Sequence, residues 1–213
     1  MQSIYFVDSN FTYESSKKSI LSIRYATDGF SFCVHDEKDK LVVFVHEPYA
    51  ADSREAAVAR LKNYVVNDAI LNLRFKKVYI MPCFKEKLLV PGAFFDKTNI
   101  ATLYAVNQEV SPDDTILYHH IEGIEAYLVE TVISSFHDFV REHFPVFQIV
   151  NGAYPFILGA MGKALRDTEQ IFLDIQDNYF DLLFIRDSGI QLFNTFSYKA
   201  TTDIVYFLLN CIK

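Results

Sequence analysis

QIFLDIQDNYFDLLFIRDSGIQLFNTFSY, residues 170–198, holds three runs of apolar, aromatic and β-branched side chains. Gln176-Asp177-Asn178 and Arg186-Asp187-Ser188-Gly189 separate them. Such runs broken by turn formers predict a three-stranded antiparallel meander. Just downstream, Thr201-Thr202-Asp203 offers capping oxygens, and Ile204, Phe207, Leu208, Cys211 and Ile212 recur at helical spacing, so a helix is expected to follow. The same order of parts occurs near the N-terminus. Ser19 to Ala26, Phe30 to His35 and Leu41 to His46 are strand-like, with turns at Thr27-Asp28-Gly29 and from Asp36 to Lys40, and a helix opens at Asp52-Ser53. The duplicated meander points to an α/β fold of mixed sheets with packed helices.

Outward from the two meanders the pattern is less even. Residues 1–18 read as a polar tail or an edge segment pinned by Ile4, Tyr5, Phe6, Phe11 and Tyr13. Leu41 to Val45 is apolar at every position, as expected of a strand covered on both faces. Ala57, Leu61, Tyr64 and Val65 make a helical stripe, with Arg54, Glu55, Arg60, Lys62 and Asn63 outside it. Phe75 to Met81 is a further strand stopped by Pro82. Residues 83–114 are irregular and read as an insertion or subdomain, with a helix possible within Phe94 to Asn107. Strands are expected at Thr115 to Ile121 and Glu125 to Glu130, and a helix from Thr131 to Phe144. A short strand should follow at Val146 to Val150, then a helix opened by Asn151. Gly159 and Gly162 inside that last helix suggest close approach of another backbone or simple tight packing.

Composition limits the function classes. A chain of 213 residues buries roughly 70% of its unfolded surface, and a 51% hydrophobic, 15% aromatic content belongs to a folded protein. The formal charge of −7 gives no general attraction to nucleic acid or anionic membranes. No run approaches the ~18 apolar residues that span a bilayer, and the N-terminus does not resemble a secretion signal. Cys33, Cys83 and Cys211 are odd in number and form no CxxC pair, which favours reduced thiols and a cytoplasmic location.

SILSIRYATDGFSFCVHD (19–36), LVVFVHEPY (41–49) and FILGAMGKALRDTEQIFLDIQDNYFDLLFIRDSGIQLFNTFSY (156–198) resemble a bacterial family of unknown function, typical of Bacteroidetes-type genomes. That family is associated with the actin-like ATPase superfamily. The resemblance implies an actin-like, ribonuclease-H-like lobe at 19–168, with 83–114 as an insertion, and the start of a second, incomplete lobe at 169–213. It also implies where a phosphate site would lie. Working members of the superfamily carry, in each meander's first turn, an Asp followed two residues later by a Gly. The Asp organises a hydrated metal or attacking water; the Gly admits phosphate oxygens to backbone N–H groups. Superposing the repeats by pattern sets Leu21-Ser22-Ile23-Arg24 against Leu173-Asp174-Ile175-Gln176. Ser22, Arg24, Asp174 and Gln176 are therefore the candidate cofactor-binding positions, and only Asp174 keeps the pattern.

Two readings follow. Loss of both glycines and one carboxylate favours a non-catalytic scaffold or protein-interaction module, acting through a protein partner or as a homodimer, with no cofactor. In it, Arg24 is expected to pair with Asp174 across an unused cleft. The alternative is a divergent nucleotide-binding ATPase or kinase-like protein using ATP with magnesium, Asp174 at the metal and Arg24 at the phosphates. Other chemistry is weaker. His119 and His120 point to opposite faces of a strand and cannot chelate one metal together. Cys33 and His35 share a strand face but have no orienting group. Asp113, Asp114, Glu122 and Glu125 read as solvated.

Overall fold

The computed structural model describes residues 2–211, so the expectations for Ile212 and Lys213 lie outside it. The chain divides into two compact units. The first takes residues up to Phe84, then Ser111–Thr115 and Val132–Gly152; the second takes Lys85–Val110, Ile116–Thr131 and everything from Ala153 onward. Each is therefore woven from separated stretches, where the sequence suggested contiguous blocks.

In the first unit, β1 (Ile4–Val7) is followed by a capped turn of helix, α1 (Tyr13–Ser16), and by the meander β2 (Ile20–Ala26), β3 (Gly29–His35) and β4 (Leu41–Pro48). After α2 (Arg54–Asn67) comes β5 (Lys77–Pro82). The sheet runs β1-β4-β3-β2-β5-β9, with β9 at Phe147–Ile149. Its first four strands are antiparallel to their neighbours, while β5 joins β2, and β9 joins β5, in parallel. The N-terminal segment thus forms an edge strand. Ser53 caps α2 by accepting the Ala56 N–H at 3.2 Å, and the apolar stripe of that helix, Ala57, Leu61 and Val65, is buried. Leu21, Ile23, Tyr25, Phe32, Val43 and Ile80 are 1% exposed or less and form the sheet's share of the core. The turn before β3 needs its glycine: Gly29 has φ +148°, and a Cβ there would stand 2.7 Å from the Glu47 carbonyl oxygen.

The second unit begins with β6 (Lys87–Pro91), a short 3₁₀ turn, and α3 (Ile100–Asn107). Strand β7 (Asp114–His120) enters it from the first unit, and β8 (Ala126–Ile133) returns, giving a three-stranded sheet ordered β6-β8-β7. Helix α4 (Ser134–His143) lies in the first unit and α5 (Ala153–Lys163) in the second. The second meander, β10 (Glu169–Ile175), β11 (Tyr179–Arg186) and β12 (Gly189–Ser197), forms its own antiparallel sheet, followed by α6 (Thr201–Cys211). One face of this meander, with Phe180 and Leu182 at its centre, packs on Ile204, Phe207, Leu208 and Cys211 of α6. The other face, through Phe172, Leu183, Ile185 and Phe193, joins Leu89, Ile121 and Leu128 of the β6-β8-β7 layer and Ala153, Ile157 and Ala160 of α5. The Asp203 carboxylate accepts the Lys199 and Ala200 N–H groups at the start of α6, the capping role expected of it.

Several local expectations are corrected. Val132 and Ile133 end a strand instead of opening a helix, because Thr131-Val132-Ile133 is a β-branched run and the helix waits until Ser134. Gly159 and Gly162 mark no close backbone approach, since a Cβ at either would meet nothing within 4 Å. Asp114 is not solvated: its side chain is 2% exposed and pairs with Arg54, itself 18% exposed and so not on the outer face of α2. No helix among the described residues is long and apolar enough to cross a membrane.

Candidate functional site

The four candidate positions fall two in each unit. On β2, Ser22 and Arg24 project to one face two residues apart. Ser22 is the register partner of Cys33, and their side chains are hydrogen-bonded. Burial pushes the Cys33 thiol up, the Ser22 contact opposing it, so this thiol is poorly disposed to ionise. Arg24 reaches Asp28, four residues on in the meander's first turn, at 3.3 Å. Both side chains are about a quarter exposed. The guanidinium thus has a carboxylate within its own unit.

In the second unit, Asp174 lies near the end of β10 and Gln176 begins the turn to β11. The Gln176 N–H, the group a phosphate loop would offer, donates to the Tyr179 carbonyl at 2.9 Å. Its own carbonyl accepts the Tyr198 hydroxyl at 2.6 Å. Both backbone groups of Gln176 are therefore committed to closing the hairpin.

Asp174 has a more informative neighbour. Register places it opposite Asp181 on β11, and Asp181 opposite Thr195 on β12, so the three side chains share one face of the meander. Asp181 is 1% exposed, and the Thr195 hydroxyl donates to its Oδ1 at 2.6 Å. Lys87, from β6, brings its Nζ to 2.8 Å from the same oxygen. The Lys87 side chain is 1% exposed, and its ammonium lies 4.7 Å from the centre of the Tyr179 ring, a further favourable contact for a buried cation. Burial raises the Asp181 carboxyl above the usual carboxylate range, against the pull of Lys87 and Thr195, and Asp174 adds to the rise. The register partner of Lys87 on β8 is Glu130, also 1% exposed. His119 of β7 completes the group, its Nε2 4.0 Å from Glu130 Oε1.

Sequence reading found Asp174 but missed Lys87, Glu130 and Asp181. Glu130 and Asp181 are each a single charge inside an otherwise apolar strand, in YLVETVI and YFDLLFI, and that isolation was the available signal; Lys87 closes the charged run Lys85-Glu86-Lys87 and carried no such signal. Among the described residues no three His, Cys, Asp or Glu side chains are grouped to hold a metal ion. An internal ammonium sits where a cation near Asp181 would be needed.

A meander, helix and parallel strand in one unit, with the meander and helix repeated in the other, is the architecture of the actin-like proteins. The chain belongs to the family described as protein of unknown function (DUF3822), which it matches over residues 8–213. It is similar to a crystal structure from Bacteroides thetaiotaomicron, described as a protein with actin-like ATPase fold and unknown function. The TM-score is 0.86 at 24% identity, over 94% of this chain and 78% of that one. It is also similar to a chain of the PilM-PilN type IV pilus biogenesis complex, with a TM-score of 0.52 at 14% identity, over 88% of this chain and 63% of that one. At such identities the likeness is one of fold. No curated protein matches the chain.

Proposed function

We propose that this protein is a non-catalytic actin-like module of the cytoplasm, working as a scaffold through protein contacts, with a partner protein or a second copy of itself, and without a nucleotide cofactor. The observation that carries the proposal is the buried Lys87–Asp181 pair beside Asp174. In an actin-like ATPase this carboxylate-bearing strand end has to accept a hydrated metal ion. Here the nearest buried carboxylate is already satisfied by the protein's own ammonium and by Thr195. Arg24 in place of a glycine, its ion pair with Asp28, and the committed Gln176 N–H support the same reading. The PilM-PilN relative, named as a complex, lends weight to protein contacts as the use of such a fold.

The test is calorimetric titration of ATP and magnesium into the full chain, with Asp174→Asn in parallel. No saturable heat is expected from either. A saturable signal that disappears in Asp174→Asn would establish the nucleotide-binding alternative and make Ser22, Arg24, Asp174 and Gln176 its site.

A further inference from the structure

The chain carries two short basic runs, Lys17-Lys18 and Arg74-Phe75-Lys76-Lys77. Folding of the first unit brings them together. Strands β2 and β5 are parallel neighbours with Ile20 opposite Lys77, and the Lys76 N–H donates to the Ser19 carbonyl at 3.0 Å. The Ser16 hydroxyl donates to the Arg74 carbonyl at 2.9 Å, across 58 positions of sequence. Five cations therefore gather where β2 and β5 begin, at the opposite end of β2 from Arg24 and Asp28. Lys17, Lys18, Arg74 and Lys76 are exposed, and Lys77 is half-buried with its ammonium 4.4 Å from the centre of the Tyr79 ring. Lys17 pairs with Glu14 at 2.8 Å; that carboxylate raises its pKa, and repulsion from Arg74 opposes the rise. Among the described residues the other four cations form no ion pair. The remaining carboxylates on neighbouring elements are Asp68, which accepts the Ile70 and Leu71 N–H groups, Asp138, which pairs with Arg141, and the exposed Glu142. The patch stays positive, in a chain whose net charge is −7.

A groove opens beside these cations. The segments that follow α2 and α4 part around Val78 and leave a cavity of about 450 Å³, a size that holds a ligand or a side-chain anchor. Leu71, Val78 and Phe144 are buried at its floor, Leu73 and Phe75 are half-buried along it, and Val146 is 53% exposed at its mouth. Arg74 lines the groove as well and so belongs to both features. His143 is the other titratable lining residue; burial lowers its pKa, so it adds no charge at neutral pH.

We propose that this groove and its basic rim dock an acidic peptide segment of a partner protein: one large apolar side chain of the segment fills the groove, and flanking Asp or Glu side chains meet Lys18, Arg74, Lys76 and Lys77. Charge complementarity selects the occupant, since the patch is positive and the groove beside it is apolar. A bilayer is met by apolar side chains that protrude, whereas here the apolar surface is recessed. Single-stranded nucleic acid is held on exposed aromatic platforms, whereas Phe75 is half-buried and Phe144 buried. The inference rests on the reading of the protein as a module of protein contacts, but on none of the residues that carry that reading.

The experiment is a fluorescence-anisotropy titration of the full chain into labelled decapeptides of alternating glutamate and aspartate, with a central leucine, phenylalanine or alanine. The leucine and phenylalanine peptides should bind saturably, and the alanine peptide about tenfold more weakly, the worth of one buried apolar side chain. Lys18→Glu/Lys76→Glu and Val146→Asp should each weaken binding about tenfold or more, and raising salt from about 50 to 500 mM should weaken it as well. All three positions are exposed, so unchanged melting temperatures separate lost binding from lost folding. No saturable binding up to about 1 mM peptide overturns the proposal, as does binding indifferent to the central residue or to the charge reversal. Tighter binding to phosphatidylglycerol vesicles or to a single-stranded oligonucleotide, or a dimer that Lys18→Glu/Lys76→Glu dissolves, gives the patch another occupant and overturns it too. Asp174→Asn should bind the peptides as wild type does. Absent peptide binding with no heat from ATP refutes the docking site alone, and heat from ATP beside intact peptide binding refutes only the nucleotide-free reading.

Discussion

Removing the Lys87 ammonium tests the buried centre directly. In Lys87→Met the chain length and apolar stem are nearly kept, so the change isolates the charge. Asp181 then sits 2% exposed with Thr195 as its remaining close donor among the contacts described above. Breaking a buried pair from one side costs about 3–5 kcal/mol, because the other charge stays buried without its counter-ion. At about 2–4 °C per kcal/mol for a chain of this size, the melting temperature should fall by roughly 6–20 °C. The double variant Lys87→Met/Asp181→Leu removes both charges and should return to within about 2 kcal/mol of wild type, or exceed it. The pH dependence has a fixed sign. Asp181 is already raised by burial, and losing Lys87 raises it further, above the ~3.9 of an unfolded aspartate. A carboxyl whose folded pKa lies above its unfolded value weakens the fold as pH rises through that window and costs nothing below it. The deficit of Lys87→Met should therefore shrink as pH is lowered from 7 toward 4. Calorimetric or circular-dichroism melts of the single and double variants across that range make the measurement. A single variant within about 1 kcal/mol of wild type, or a double variant as damaged as the single, would refute the account of this pair as the charge-balanced centre of the second unit.

Two further outcomes concern the paired turns. Gly29→Ala should destabilise the protein by about 1–3 kcal/mol, since it forces a Cβ into positive φ at 2.7 Å from a carbonyl oxygen; a urea midpoint equal to wild type would contradict that. Asp187 and Ser188 both have positive φ, +52° and +63°, in the two-residue turn that closes β11 onto β12. Replacing them by Asn-Gly, the pair suited to that left-handed turn, should raise stability by roughly 1 kcal/mol, and a lower melting temperature would count against the turn assignment.

The meanders were legible because each combines a strand pattern with a turn signature, Thr27-Asp28-Gly29 in one and Asp187-Ser188-Gly189 in the other. Local chemistry determines both. The helices after them were legible for the same reason, through Ser53 and Asp203 at their starts. Residues 83–114 were not, because β6 is only five residues long and becomes a strand by pairing with β8, some forty positions later. The site divides in the same way. Asp174 could be placed from its position in the turn pattern. Lys87, Glu130 and Asp181 acquire meaning only when β6, β8 and β11 bring them together, and no window of neighbouring residues contains that meeting. Asp114 was misread for a related cause: its partner, Arg54, lies sixty residues upstream.

The interleaving of the two units along the chain also bears on synthesis. β5 cannot gain its outer neighbour until β9, residues 147–149, has been made. Lys87 meets Asp181 only after a further ninety or so residues have emerged. At about 5–20 residues per second, a nascent chain carries that lysine without its counter-ion for roughly 5–20 s. Until then, burying β6 beneath its partner strand would cost the desolvation of the Lys87 ammonium with no Asp181 in place to offset it, so closure of this core is tied to the arrival of the second meander.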